Sequence, residues 1–300
     1  MTVIKRLLCF YILHARASFV SRNKDRLPLL KTCTHESNYD IAESRIVGGV
    51  YAKENDWPFL VRLEFTDSIG NEWLCGGTII DNHWILSFPD KDLCLIEFDE
   101  DIIESDPNKD VRMACLTDSI PKTGTKCWIA GWGTTYFGGS SSRSLKSAQV
   151  EIMELDYCKK KSDYPSYLFG PEMICAGQLD KDGDGQLDGG VDACQGDSGG
   201  PLICNVNGKA ALVGVVSWGF ECASEGYPGV YSSPAYSRSY KWIRESVEPA
   251  LKSTTTTTTT ITFTTLSTTT STTTALAEPS NMTETKLHLL IMIIVLLVVG

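Results

Sequence analysis

From Phe59 to Phe65 apolar and polar residues alternate: Phe59, Val61, Leu63 and Phe65 share one face, and Arg62 and Glu64 fall on the other. A period of two is that of a strand with one face against a core. Similar short runs follow at Leu74–Ile80, Trp84–Leu86, Leu93–Phe98, Lys126–Trp132, Ala148–Met153, Pro201–Cys204 and Ala211–Trp218, with turn residues between them. Many short strands at close spacing predict an all-β sandwich or barrel. Helical spacing recurs only near the end of this region, at Tyr236, Tyr240, Ile243 and Val247. Ser233 as N-cap and Pro234 at the first helical position would start that helix. No internal repeat of fixed period is present.

Outside residues 46–248 the pattern changes. Lys5 and Arg6 precede an apolar run from Leu7 to Leu13, and Ala15-Arg16-Ala17 offers a small-x-small cleavage site. Residues 1–17 therefore read as a secretory signal, with an apolar run too short to span a bilayer. In residues 253–274, 19 of 22 are Ser or Thr, interrupted by Ile261, Phe263 and Leu266. Such a segment cannot bury a core, so it predicts an extended, O-glycosylated stalk. Residues 275–286 form a polar spacer with one N-glycosylation sequon at Asn281-Met282-Thr283. The tail, residues 287–300, is nearly all apolar. As a helix it would be about 21 Å long against a hydrocarbon core of about 30 Å. Two readings remain: a GPI signal with its small residues at Ala275 and Ala277, and a short or tilted membrane span. Both predict a cell-surface protein attached through its C-terminal tail.

Charge and cysteine content narrow the class. The chain has 27 basic and 37 acidic side chains, a net of −10, so a nucleic-acid partner is not expected. Eleven cysteines point to an oxidising, extracellular compartment.

Ordered motifs then carry a specific resemblance. Ile46-Val-Gly-Gly49 follows Arg45, and Cys75-Gly-Gly77, Trp128-Ile-Ala-Gly-Trp-Gly133, Asp192-Ala-Cys-Gln-Gly-Asp-Ser198-Gly-Gly-Pro201, Ser217-Trp-Gly219 and Pro228-Gly-Val-Tyr231 come in sequence. Residues 46–248 resemble a trypsin-like serine protease of the chymotrypsin family. The resemblance implies two packed antiparallel β-barrels with a C-terminal helix, and peptide-bond hydrolysis after Arg or Lys by acyl-enzyme chemistry. Ser198 would be the nucleophile, and the backbone N–H groups of Gly196 and Ser198 would hold the oxyanion. Asp192 would lie at the base of the specificity slot, lined by Ser217, Trp218, Gly219 and Gly229. Cleavage after Arg45 by a trypsin-like protease would free the amine of Ile46 to pair with Asp197, which makes residues 18–45 a propeptide. The implied disulfides are Cys33–Cys115, Cys127–Cys204, Cys158–Cys175 and Cys194–Cys222; Cys9 would leave with the signal.

The match fails at one place. After Trp84-Ile-Leu-Ser87 the family continues into Ala-Ala-His-Cys, whereas this chain passes through Phe88-Pro-Asp-Lys91 into Asp92-Leu-Cys-Leu-Ile96. That block resembles the one with the catalytic aspartate, so Asp92 takes that role by resemblance. Family histidine and aspartate lie roughly 45 residues apart; here Ser87 and Asp92 are five apart. The missing stretch would hold the histidine, its cysteine and two strands, which leaves the first barrel incomplete with open sheet edges. The histidines present are His14, His35, His83 and His288; none stands at the expected place, and His83 is offset from it. Cys75 loses its family partner, so a new Cys75–Cys94 bridge is one option. No cofactor is expected apart from calcium: Asp180, Asp182, Asp184 and Asp188 with Gly185 match the start of an EF-hand loop, although Val191 stands where its glutamate should be. The alternative is a solvated acidic loop. Two functions follow: an anchored endopeptidase acting on protein or peptide substrates that present Arg or Lys, inactive in this chain for want of its histidine, or a surface binding protein without turnover.

Overall fold

The computed structural model describes residues 4–9, 50–52, 56–66, 72–87, 93–98, 101–103 and 111–247. Arg45 and Ile46, the expected propeptide, Cys33, Asp92, the stalk, the spacer and the tail lie outside the described residues. Along the chain come β1 (Ile4–Cys9), β2 (Val50–Tyr51), β3 (Leu60–Thr66), β4 (Glu72–Asp81), β5 (Trp84–Ser87), β6 (Cys94–Phe98), β7 (Cys115–Leu116), β8 (Lys126–Gly131) and β9 (Lys146–Met153). Helix α1 (Leu155–Lys161), β10 (Met173–Gly177), β11 (Pro201–Val206), β12 (Lys209–Trp218), β13 (Gly229–Ser232) and α2 (Ser237–Val247) complete the order.

The period-two segment behaves as its pattern requires. Val61 and Leu63 are fully buried, and the guanidinium of Arg62 pairs with Glu64 at 2.7 Å on the solvent side. Each of the eight apolar runs read from the sequence contains a strand. Five strands make a first sheet in the order β1-β6-β5-β4-β3. The second sheet runs β10-β13-β12-β11-β8-β9, and a further pairing of β10 with β9 closes it into a six-stranded antiparallel barrel. The first sheet has no such closing pair among the described residues, in keeping with an incomplete first barrel. Its N-terminal strand is a departure: part of the segment read as a secretory signal lies as the outer strand of this sheet, antiparallel to β6.

Two aspects of the sequence reading change. Helix α2 begins at Ser237 rather than Pro234, because the Ser233 hydroxyl donates to the Val213 carbonyl at 3.1 Å. That hydroxyl is buried against β12 and cannot cap a helix. Tyr240 and Ile243 still face the core cluster. The Cys75–Cys94 bridge does not form: Cys75 is a free thiol and Cys94 is disulfide-bonded elsewhere. Register gives the reason. Ser87 is opposite Cys94 and Leu86 opposite Thr78, so β4 and β6 are separated by two strand spacings, about 9.5 Å, beyond the span of about 7 Å a disulfide tolerates. The expected bridges Cys127–Cys204, Cys158–Cys175 and Cys194–Cys222 are present, and Cys115 is also disulfide-bonded.

Side chains of the first sheet pack with Leu116, Trp132, Ile203, Leu212 and Ile243 in one cluster, while the barrel interior holds a second around Ile129, Val150, Leu202, Val213 and Tyr231. Gly77 shows how tight the first is. A Cβ there would meet Ile85 Cγ2 and Val61 Cγ2 at 2.8 Å and Leu63 Cδ1 at 3.1 Å. Two of these atoms belong to β-branched side chains that cannot swing aside. Gly77→Ala is therefore expected to lower unfolding stability by about 1–3 kcal/mol, measured by urea titration.

Candidate active site

Residues 194–200 form a tight turn whose hydrogen bonds decide what it can offer a ligand. Asp197 N–H donates to Cys194 O and Gly200 N–H to Asp197 O, both at 2.9 Å. Two further bonds fasten the turn to β12, Gly199 N–H to Val216 O and Val216 N–H to Gly200 O, also at 2.9 Å. A fifth, from Gly76 N–H of β4 to Ser198 O at 2.7 Å, ties it to the first sheet. The N–H groups of Gly196 and Ser198 have no acceptor among the described residues. A pair of free, rigidly held donors beside a serine can stabilise a carbonyl oxygen as it gains charge. Gly196 has φ +97°, and a Cβ there would also press on Leu74. The site therefore needs glycine at this point.

Beneath the turn lies Asp197, 1% exposed. It accepts from Gly133 N–H at 2.7 Å and Cys194 N–H at 3.0 Å. Burial outweighs these bonds and pushes its carboxyl up to about 6. A Cβ at Gly131 or Gly133 would collide with this carboxylate, which explains why the sequence around Trp132 carries glycine on both sides.

Asp192 is 3% exposed, and burial pushes its carboxyl up to about 7 despite hydrogen bonds from Ala223 and Ala193. Two glycines stand beside it: a Cβ at Gly229 would strike the carboxylate, and one at Gly219 would lie 3.8 Å from it. The Cys194–Cys222 disulfide joins the turn to the segment after Gly219. The result is a buried carboxylate with glycine backbone on two sides. Ser217 is buried, with a hydroxyl that has no hydrogen-bond partner.

Several pocket residues carry no local motif. The Tyr164 hydroxyl accepts from Phe220 N–H at 2.8 Å, and its ring packs edge-on against Trp218 and Tyr227 at 5.1 Å each. Phe220 leans on Tyr227 at 4.7 Å. The Tyr231 hydroxyl, buried and without a hydrogen-bond partner, lies 3.2 Å from where a Gly229 Cβ would stand. Only the alternation of aromatics with glycines between Trp218 and Tyr231 hints at this rim.

Among the described residues the one histidine is His83. His83 lies in the turn between β4 and β5, paired with Asp101 at 2.9 Å. It is four residues before Ser87, about 13 Å along the strand. The end of β5 is the part near the turn: the Ser87 hydroxyl donates to Gly76 O at 2.7 Å, and Gly76 in turn bonds Ser198. Asp92 falls outside the described residues. Cys75, next to Gly76, is no substitute, since burial pushes its thiol up to about 11. In the acidic loop, carboxylate oxygens of Asp180, Asp182 and Asp188 come within 4.8 Å of one another. Asp184 is outside that group and accepts from Gln186 N–H at 2.8 Å.

Comparison with known proteins adds an independent line. A sequence model of the Trypsin family matches residues 46–88 and 87–243, so its two matched segments meet at residues 87–88. The chain is 31% identical over 262 aligned residues to Serine protease 56 of Homo sapiens, covering 70% of this chain and 40% of that protein. The Mus musculus Serine protease 56 is 30% identical with the same coverage. This chain thus spans about 40% of the length of the curated relatives it matches.

The buried carboxylate of Asp197 gives a pH test. Its folded value of about 6 exceeds the ordinary value of about 3.9, so the folded chain binds this proton more readily than the unfolded one. The stability it contributes is complete below about pH 4 and is lost as pH rises through about 6. On the uncleaved chain, the unfolding free energy of the parent relative to Asp197→Asn should fall by about 3 kcal/mol between pH 4 and pH 7.5. Urea titrations at both pH values would show it, and a difference that does not change with pH would contradict it.

Proposed function

The chain belongs to the trypsin family of serine proteases, and we propose that it keeps recognition of Arg and Lys side chains while this form lacks turnover. The observation that carries the reading is the buried Asp192 carboxylate flanked by Gly219 and Gly229, in a domain whose one histidine, His83, is engaged with Asp101. A guanidinium entering the slot would bring charge-assisted hydrogen bonds to Asp192 and favour its ionised form. The carbonyl of that residue would then meet the N–H groups of Gly196 and Ser198.

Acyl transfer needs one more component. As the Ser198 hydroxyl attacks, its proton must pass to a base and then to the departing amine. Losing the histidine of such a triad costs about a million-fold in turnover, roughly 8 kcal/mol of barrier. The chain would thus act as a surface binding protein for Arg- or Lys-bearing proteins or peptides. Cleavage after Arg45 by a trypsin-like protease would supply the Ile46 amine, whose charge offsets the cost of the buried Asp197 carboxylate. The disulfides support an oxidising compartment for the domain, and the apolar C-terminal tail would anchor it to the membrane.

A second reading has its own observation, the meeting of the two matched segments at residues 87–88. A longer product with a histidine segment between Ser87 and Asp92 would be the active endopeptidase. Sequencing the transcript across those codons separates the readings: a dominant longer product favours the enzyme, and a short product alone favours the binding protein.

Benzamidine, a small aryl amidine, tests recognition directly. It should raise the unfolding midpoint of the chain, and Asp192→Asn should weaken its binding about thirty-fold or more. An arginine p-nitroanilide should not be hydrolysed after cleavage at Arg45. Hydrolysis abolished by Ser198→Ala would overturn the claim of inactivity, and benzamidine binding that ignores Asp192 would overturn the slot.

A further inference from the structure

The first sheet is arranged in a way that the family motifs do not explain. Strand β5 passes into β6 with Ser87 opposite Cys94, at the very place where the family match divides. One edge of β6 is taken by β5. The other carries β1, a segment outside the matched region 46–243.

Strand β1 covers β6 from end to end. Ile4 is opposite Phe98, Leu7 opposite Ile96, Leu8 opposite Leu95, and Cys9 opposite Cys94. The one charged residue of β6, Glu97, stands opposite Arg6. By register, apolar positions of the two strands stand opposite each other, as do Arg6 and Glu97, the order that favours pairing of neighbouring strands. A second copy of β6 paired about Ile96 would set Glu97 against Leu95 instead. With Cys94, Leu95, Ile96 and Phe98 all no more than 2% exposed, this edge would otherwise present unpaired backbone groups among apolar side chains. Such an edge is a template for pairing between chains.

We propose that Ile4–Cys9 is a built-in edge strand, which stands in for the segment missing between Ser87 and Asp92 and keeps β6 from pairing with another copy of the chain. Its occupant is set by register and charge. The same residues have the composition of a leader, so cutting at Ala17 would uncover β6 and couple N-terminal processing to self-association.

A charge-swap series on the full 300-residue chain tests this. Arg6→Glu and Glu97→Arg should each lower the unfolding midpoint by about 2–4 °C and shift the species seen by light scattering from monomer to larger assemblies. The double variant, Arg6→Glu with Glu97→Arg, should restore both properties. Single variants that keep the parent midpoint and mass would overturn the proposal, as would a double variant no better than the singles. The readouts do not involve ligand binding or turnover, so the outcome is independent of the proposed function.

Discussion

The carboxylate of Asp197 is the constraint on which the site depends. A charge with 1% exposure has lost nearly all its hydration, a penalty of several kcal/mol unless other groups take over. Two backbone N–H groups, from Gly133 and Cys194, do so in part, and the carboxyl rises to about 6 because they do not do so fully. Accepting those bonds fixes the turn at residues 194–200 against the β8 end at Gly131. That in turn fixes the direction of the Gly196 and Ser198 donors. The glycines at 131 and 133 are thus steric requirements of a side chain more than sixty residues away, and a positive φ at Gly196 lets the turn close above it.

Different parts of this architecture were legible in the sequence to different degrees. Alternation exposed β3 because one face is buried and the other solvated, and apolar runs exposed β4, β8, β9 and β12 because their length outlasts the turns around them. Strands β2 and β7 have two residues each, too few for any period to register. Their existence is owed to partners on β9 and β12. Ser233-Pro234 carried a sound local helix-start pattern, but the buried Val213 carbonyl needed a donor, and a tertiary bond displaced a local cap. Asp192, Asp197, Gly196 and Ser198 could be named from motifs because the turn is contiguous. Tyr164 could not: its link to Phe220 spans 56 residues, and nothing near it in sequence marks it as a pocket residue.

Cys75 and Cys94 show where motif reasoning and geometry part. Two cysteines left over after family pairing invite a bridge, but the pairing of β4 with β5 and β5 with β6 holds them two strands apart. Strand register is a stricter constraint than cysteine number. The same register places Cys94 opposite Cys9 at the edge of the sheet, so the N-terminal segment, whose composition reads as a leader, also supplies the outer backbone partner of β6.

The turn at residues 194–200 and the buried carboxylates near it belong almost wholly to one half of the domain. Asp192, Gly196, Ser198, Ser217, Gly219 and Gly229 all lie in the strands and connections of the closed barrel, together with the disulfides Cys127–Cys204, Cys158–Cys175 and Cys194–Cys222. The first sheet meets the nucleophile turn through the Gly76–Ser198 backbone bond and the contact of Leu74 with Gly196. Gly76 can approach so closely because it has no side chain; a Cβ there would sit 2.6 Å from Gly200 Cα. This joint is made by Leu74 and Gly76 on β4 and involves no residue beyond Ser87 from the first sheet. Asp192 and the N–H groups of Gly196 and Ser198 are thus held by the barrel's own hydrogen bonds and disulfides, with this joint as their tie to the first sheet.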